Sequence, residues 1–383
     1  MEQRYPSIRV GGGPRQRGRA YGEAARDRVR ISREAYEEAF GRTAGWTWAQ
    51  ARDAAAAYLA PVEAAFPQYL EEMRGIAEGA GLPFEDVLTL NTRTEVMYAA
   101  KARQAASLGR GECTSFALLG ERTASGRLLA GQNWDWLAHC TETVVVLEVE
   151  QPGAVNFVTV VEAGLLAKAS LNAAGLAVAT NALVTSADRG APGLPYHVIL
   201  RGLADCETPA DGVDVVLGHV RSSSANYLLA SADGLVLDLE AAPGDYRAVS
   251  VLEPEGGALV HTNHFLRPPA GQDDVSVWAM SDTHLRRQRA LPALADPGRR
   301  HDPESIRDVL ADHAGYPFGV CSHADPRVGD GPAWATITAV VMDPAERRLW
   351  LTSGRPCETP LLEVELGGLL HEPTPLAKHR PAG

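Results

Sequence analysis

Cysteine is scarce in this chain. There are five in 383 residues, Cys113, Cys140, Cys206, Cys321 and Cys357. The number is odd, the spacing wide, and no Cys-x-x-Cys occurs. That argues against a disulfide framework and against a structural zinc site, and for a reducing compartment such as the cytoplasm. Long apolar runs are lacking as well: Val144-Val145-Val146-Leu147 is far too short to span a bilayer, so no membrane partner is expected. Positive charge is in deficit. A net charge of -12 repels nucleic acid and anionic lipid, which excludes a nucleic-acid partner. The basic N-terminus (Arg15, Arg17, Arg19, Arg26, Arg28, Arg30) is interleaved with Glu23, Asp27 and Glu34 and is followed by no apolar segment. It reads as a solvated helix face rather than a targeting peptide. Internal repeats and low-complexity tracts are also missing.

What remains is an ordinary globular composition, 45% hydrophobic and 22% charged, long enough for one large or two smaller domains and for a core without covalent staples. Residues 20 to about 80 read as helices, from Ala20 to Phe40, from Trp48 to Ala60, and onward from Pro61 with Leu70, Met73, Ile76 and Ala77 at helical spacing. From Cys113 the texture changes to short β-type runs at 113–119, 127–136, 143–149, 155–162, 167–171 and 176–182, punctuated by Gly, Pro, Asn or Ser. Helices fit 195–205 and 209–219, strands 226–231, 235–240 and 258–262, helices 283–293 and 303–312, and strands 335–342 and 348–353. This alternation of blocks predicts antiparallel sheets covered by helices, an α+β fold.

One stretch, RGECTSFALLGERTASGRLLAGQNWDW (110–136), carries the chemistry. FALL and RLLAG are strand-like and are joined by the turn sequence Thr123-Ala124-Ser125-Gly126. A hairpin centred near Ser125 sets Cys113 opposite about residue 136, within two positions. Asp135 then becomes a direct or diagonal neighbour of Cys113, roughly 5–8 Å away. From this pair alone, Cys113 fits a small buried hydrophobe better than a nucleophile, and Asp135 fits a turn or capping residue. Other groupings are weaker. His261-Thr262-Asn263-His264 has two histidines three apart, but no third metal ligand lies close in sequence. Asp282 to Arg289 reads as a solvated helix start with Asp282 near the cap. Gly11-Gly12-Gly13 follows no strand-then-helix pattern suited to a phosphate loop. No cofactor and no metal is expected.

The wording of the sequence says more than its periodicity. LNTRTE (90–95), the GxCTS-like segment at Cys113, GQNWDW (131–136), EAG (162–164), LNAAGLAV (171–178) with NAL (181–183), HTNH (261–264), RRQR (286–289), YPFGVC (316–321) and GRP (354–356) fall in one order. In that order the chain resembles the acyl-coenzyme A:6-aminopenicillanic acid acyltransferase family, the C45 peptidases of the N-terminal-nucleophile hydrolases, from about residue 15 to 357. The resemblance implies an αββα sandwich of two facing antiparallel sheets with helices on both outer faces. It implies an inactive precursor that cuts itself between Glu112 and Cys113, with 1–112 as a mainly helical α chain and 113–383 as the β chain, the two held together as one αββα heterodimer. Cys113 matches the nucleophile and Asp135 the acid that anchors its α-amine. Asn263 matches the asparagine facing the oxyanion, Asn181 a second group on that side, and Arg286 a site arginine. The implied reaction is acyl transfer from, or hydrolysis of, a small-molecule amide or acyl-CoA-type thioester. A family member that stays uncut and serves as a small-molecule binding module is the alternative.

Three departures from the family pattern bear on this. Glu112 stands where Gly is frequent. Pro332-Ala333 stands where penicillin-forming members carry Ser-Arg, which speaks against penicillin-type substrates. The sequence ends Arg380-Pro381-Ala382-Gly383 without the peroxisomal signal of those members.

Overall fold

A computed structural model describes residues 4–102, 113–327 and 333–371. In chain order its strands are β1 (Ser7–Gly11), β2 (Thr114–Leu118), β3 (Leu129–Leu137), β4 (Val144–Glu150), β5 (Phe157–Glu162), β6 (Ala169–Asn172), β7 (Leu176–Ala182), β8 (Ala225–Ser231), β9 (Val236–Ala241), β10 (Val249–Leu252), β11 (Ala258–His261), β12 (Trp334–Asp343), β13 (Arg348–Leu351) and β14 (Leu362–Glu363). They form two sheets, ordered β1-β4-β5-β6-β7-β8-β9-β10 and β11-β2-β3-β12-β13-β14. Neighbouring strands are antiparallel except β1, which runs parallel to β4 at the edge of the larger sheet.

The sheets face each other. Gln132 Oε1 of β3 accepts from the backbone N–H of Thr180 in β7 at 2.8 Å. Ser115 Oγ of β2 donates to Asn181 Oδ1 of β7 at 2.6 Å. Each outer face is roofed by helices. On the smaller sheet, Phe116, Leu129 and Val341 pack with Ala290, Leu294 and Ile306 of helices Thr283–Leu294 and Pro303–Leu310. On the larger, helix Tyr196–Ala204 is tied to β6 through Asn172 Nδ2 and Ala204 O at 3.2 Å. Leu229 of β8 lies against Gly212 of helix Pro209–Leu217. Both faces of each sheet are thus covered, which is why β4 (VVVLEVE) and β5 (FVTVVE) are apolar almost without alternation. This is the αββα arrangement expected above.

The N-terminal helices Pro14–Ala24 and Pro67–Ala80 meet through glycine. A Cβ on Gly18 or Gly22 would lie 2.1 Å from Glu72 O or 2.2 Å from Ile76 O, and one on Gly75 or Gly79 would lie 2.2 Å from Arg15 O or Arg19 O. Only hydrogen fits at these four positions, so the two backbones touch. Arg17 corrects the reading of a solvated basic face: it is buried and bonds Glu72 Oε2 at 2.7 Å, and Arg201 reaches the same oxygen at 3.2 Å.

Most strands of the sequence reading fall within about two residues of those observed. Three were missed: β1, β10 and β14. All are short, and β1 and β10 are edge strands with partly exposed residues, so they lack the apolar run that marks the interior strands. The single helix expected from Ala20 to Phe40 breaks at Ala25, where φ −104° and ψ 14° end one helix and begin Arg26–Ala44.

Candidate active site

The hairpin forms with Thr114 opposite Asn133 and Leu118 opposite Leu129. Continuing the ladder by one step sets Cys113 opposite Trp134, two positions from the sequence expectation, with Asp135 as the next residue along. Strand alternation then separates the two side chains. Cys113 shares a face with Ser115, toward the opposing sheet, and its Sγ is 3.9 Å from the backbone oxygen of Asp135. The Asp135 carboxylate shares the outer face with Asn133, whose Nδ2 bonds Leu310 O and Val320 O at 2.8 Å each. The acid is therefore beside the Cys113 main chain rather than beside its thiol.

Asp135 is fully buried. Its Oδ1 accepts from Thr336 Oγ1 at 2.6 Å. The Thr336 hydroxyl itself accepts from Ser322 N at 2.8 Å, which directs its hydrogen to the carboxylate. A break in the β12–β3 register between Thr336 and Thr338 brings Thr336 opposite Asp135. Among the described residues Asp135 Oδ2 has no hydrogen-bond partner. Burial pushes the carboxyl up to about 7, against the pull of Arg286 and the Thr336 bond and with a push from Asp282.

Arg286 is the hub of that face and is fully buried. Its Nη1 donates to Cys113 O at 2.9 Å and Thr114 Oγ1 at 3.2 Å, its Nη2 to Asn263 Oδ1 at 2.8 Å, and its Nε to Asp282 Oδ2 at 2.6 Å. Asp282 does precede the helix, but its carboxylate makes no cap bond and holds Arg286 instead. The solvated helix start is thus, at these two residues, a buried ion pair. Asn263 donates from Nδ2 to Ala182 O at 2.8 Å. Asn181 accepts at Oδ1 from Ser115 and, at 3.1 Å, from Asn226, leaving its Nδ2 buried without an acceptor among the described residues. Cys113, Asp135, Asn263 and Arg286 are thereby brought together, and Asn181 is linked to β2 one strand position beyond Thr114. The histidines flanking Asn263 diverge. His261 engages Glu240 Oε1 at 2.8 Å and Thr262 O at 2.7 Å, while His264 turns to Thr283 Oγ1 at 2.9 Å. Glu112, the residue expected before the cut, and Pro332 lie outside the described residues.

Arg93, Met97, Trp136, Lys168, Tyr196 and Trp334 line a narrow cavity at Cys113. Sequence reasoning did not single out Arg93. It sits on helix Arg93–Ala102, pairs with Glu162 Oε2 at 3.1 Å, bonds His197 Nε2, and stacks 5.0 Å over Trp136. Tyr36 OH donates to the same Glu162 oxygen at 3.0 Å and accepts from Trp136 Nε1 at 2.6 Å. The segments LNTRTE, GQNWDW and EAG, distant in sequence, converge here. Asn91 of LNTRTE bonds Gly164 O at 2.9 Å, and Glu95 accepts from Tyr196 N at 2.8 Å.

A profile of the family "Acyl-coenzyme A:6-aminopenicillanic acid acyl-transferase" matches residues 122–358, which include Asp135, Asn181, Asn263 and Arg286 and begin after Cys113. The "Acyl-coenzyme A:6-aminopenicillanic-acid-acyltransferase 40 kDa form" of Emericella nidulans is 28% identical over 293 residues, 76% of each chain. Among solved structures, a conjugated bile acid hydrolase of Clostridium perfringens aligns with TM-score 0.43 and 11% identity over 66% of this chain and 96% of that one. The penicillin V acylase of Agrobacterium tumefaciens aligns with 0.42 and 16% over 63% and 82%. The family match spans well over half the chain, and so the chain belongs to the acyl-coenzyme A:6-aminopenicillanic acid acyl-transferase family, an enzyme family of acyl transfer.

Proposed function

We propose that this chain is a self-cleaving cysteine enzyme of the N-terminal-nucleophile type that transfers or hydrolyses a small acyl group through an acyl-Cys113 intermediate. The observation that carries the reading is the half-satisfied Asp135 carboxylate, buried with Oδ2 unpartnered among the described residues and one position beyond the residue opposite Cys113 when the hairpin ladder is continued. A buried acceptor without a donor is costly. An α-amine on Cys113 would supply that donor, and it is absent until the peptide bond before Cys113 is cut. In the cut, the Cys113 thiol adds to the carbonyl carbon of Glu112, the C–N bond breaks and the nitrogen becomes the α-amine. Water then opens the thioester to the Glu112 carboxylate and the free thiol.

An internal thiol has no base of its own. An N-terminal cysteine has one, since its amine titrates near about 8 and can take the thiol proton. Asp135 holds that amine, Thr336 orients Asp135, and Arg286 fixes the Cys113 carbonyl and the Asn263 amide. Asn263 Nδ2 and Asn181 Nδ2 are the side-chain donors for the oxyanion, a contribution of about 3–4 kcal/mol per donor. The aromatic and Met97 walls of the cavity suit an apolar acyl part, with Lys168 and Arg93 facing its polar end. Five cysteines joined by no disulfide fit a reducing, cytoplasmic setting.

Intact mass of the purified protein tests the scheme. Two fragments are expected, with the larger beginning Cys-Thr-Ser-Phe-Ala, and Cys113→Ala should stay whole. Normal turnover by an uncut chain would overturn it. Incubation of the cut enzyme with acyl-CoA and a panel of amines then separates transfer, which yields amide, from hydrolysis, which yields free acid.

A further inference from the structure

On the outer side of the smaller sheet, away from the cavity at Cys113, four side chains with metal-binding atoms converge: His313, Cys321, His323 and Cys357. Their ligand atoms all lie within 4.8 Å of one another. His323 Nε2 is 3.0 Å from His313 Nε2, 3.5 Å from Cys357 Sγ and 3.8 Å from Cys321 Sγ, and the two sulfurs are 3.5 Å apart. A tetrahedral zinc ion with Zn–S about 2.3 Å and Zn–N about 2.05 Å has edges of about 3.8 Å for S···S, 3.6 Å for S···N and 3.3 Å for N···N. The four edges given agree with that figure to within about 0.3 Å, and the two from His313 to the sulfurs lie within 4.8 Å. From this geometry we propose that the protein holds one zinc ion in a closed Cys2His2 site made by His313, Cys321, His323 and Cys357.

The ligands are held in place by contacts that do not depend on an ion. Cys321 N bonds Asp312 O at 3.0 Å, and His323 N bonds Pro317 O at 2.7 Å, so the loop bearing three ligands is closed on itself. The segment with the fourth is pinned by Arg307 Nη1 on Pro356 O at 3.1 Å and by a turn in which Glu358 N and Thr359 N bond Arg355 O. His313 is exposed while Cys321 is buried, which gives the ion an entry path and a protected seat. Zinc displaces one proton from each thiol and takes both rings neutral, bound through Nε2. With four protein ligands the site is structural, with no position for substrate. A disulfide is the chemical rival, but a sulfur separation of 3.5 Å is well beyond the roughly 2.05 Å of an S–S bond. The reading from sequence found no zinc site because no Cys-x-x-Cys is present. Here the cysteines are 36 positions apart and are joined only by the fold.

The site is two hydrogen bonds from the catalytic face. Ser322, between Cys321 and His323, donates its N–H to Thr336 Oγ1, which donates to Asp135. Zinc therefore braces the residue that orients Asp135.

Cobalt substitution and metal analysis of the full chain test the proposal. The protein purified under reducing conditions with zinc in the medium should carry one zinc per chain. Cobalt in its place should give the intense visible bands of a tetrahedral site and a thiolate charge-transfer band. Cys357→Ser and His323→Ala should weaken zinc binding on the order of 100-fold or more and alter the tetrahedral bands, with Cys357→Ser also lowering the intensity of the charge-transfer band, while Cys206→Ser should leave binding and spectrum unchanged. If Cys357→Ser does not fold by circular dichroism, His313→Ala, at an exposed position, carries the same test. A folded, reduced protein that binds neither metal would overturn the site. So would cobalt spectra unchanged in these variants, or a Cys321–Cys357 disulfide in the freshly purified protein.

Discussion

At Thr336, Asp135 and Arg286, each side-chain polar atom has a partner among the described residues except Asp135 Oδ2, and that exception makes the first prediction. Asp135→Asn in already cut protein should keep the fold and lower kcat by roughly 100-fold or more, since the proposed anchor of the α-amine is lost. Turnover like the unaltered enzyme would remove Asp135 from the mechanism. A second prediction concerns pH. The folded carboxyl is raised to about 7 from an ordinary value of 3.8, so the native chain binds its proton more tightly than the unfolded one. This group costs nothing below about pH 4, and its ionisation destabilises the fold progressively up to about pH 7. Chemical denaturation of the uncut Cys113→Ala protein between these limits should show stability falling more steeply than in Cys113→Ala/Asp135→Asn. Equal slopes would place the carboxyl near its ordinary value. At this scale the sequence revealed a good deal: Cys113 and Asp135 are hairpin neighbours whose register can be counted. Arg93 and Thr336 could not be read. Arg93 meets Glu162, 69 positions away, and Thr336 reaches Asp135 through a bulge that leaves no mark in the residue pattern.

Among the elements, the helix pair Pro14–Ala24 and Pro67–Ala80 shows what periodicity misses. Its contact is made by absent side chains, Gly18 and Gly22 against Gly75 and Gly79, whereas a hydrophobic pattern registers only side chains that are present. Gly22→Ala would put a methyl 2.2 Å from Ile76 O and force the backbones apart, at an expected cost of about 1–3 kcal/mol. Gly41→Ala, in helix Arg26–Ala44, would set its methyl 4.0 Å from Trp46 O, the nearest atom beyond its own helix, and should stabilise by about 0.5–1 kcal/mol. Thermal melts of the two variants moving in the same direction would refute this account of the pair. The interior strands were legible from their continuous apolar runs, and the helices Pro209–Leu217 and Pro303–Leu310 from their caps. Thr208 and Asp302 each close a capping box. The short strands β1, β10 and β14 carry no such mark.

For the whole molecule, the proposed cut would divide the 40.9 kDa chain in proportion to the 112 residues before it, giving fragments of about 12 and 29 kDa. They should co-purify and separate only under denaturant, because Tyr36, Arg93 and β1 are built into the later part through Trp136, Glu162 and β4. Elution of the two as independent species under native conditions would contradict this. The αββα architecture could be foreseen from the order of helical and strand blocks and from the ordered motifs. The helices' close glycine contact and the Cys2His2 cluster could not, because both are created by chain segments that meet only after folding. β1 also has a meaning for the ageing of the enzyme. It covers the outer edge of β4, a strand of mostly valine and leucine. In a cut molecule β1 would belong to a separate polypeptide, so its departure would bare a row of unpaired amides on an apolar strand, a template for intermolecular pairing. Loss of activity on storage should then come with turbidity and accelerate with protein concentration, and linking the two fragments covalently should slow both.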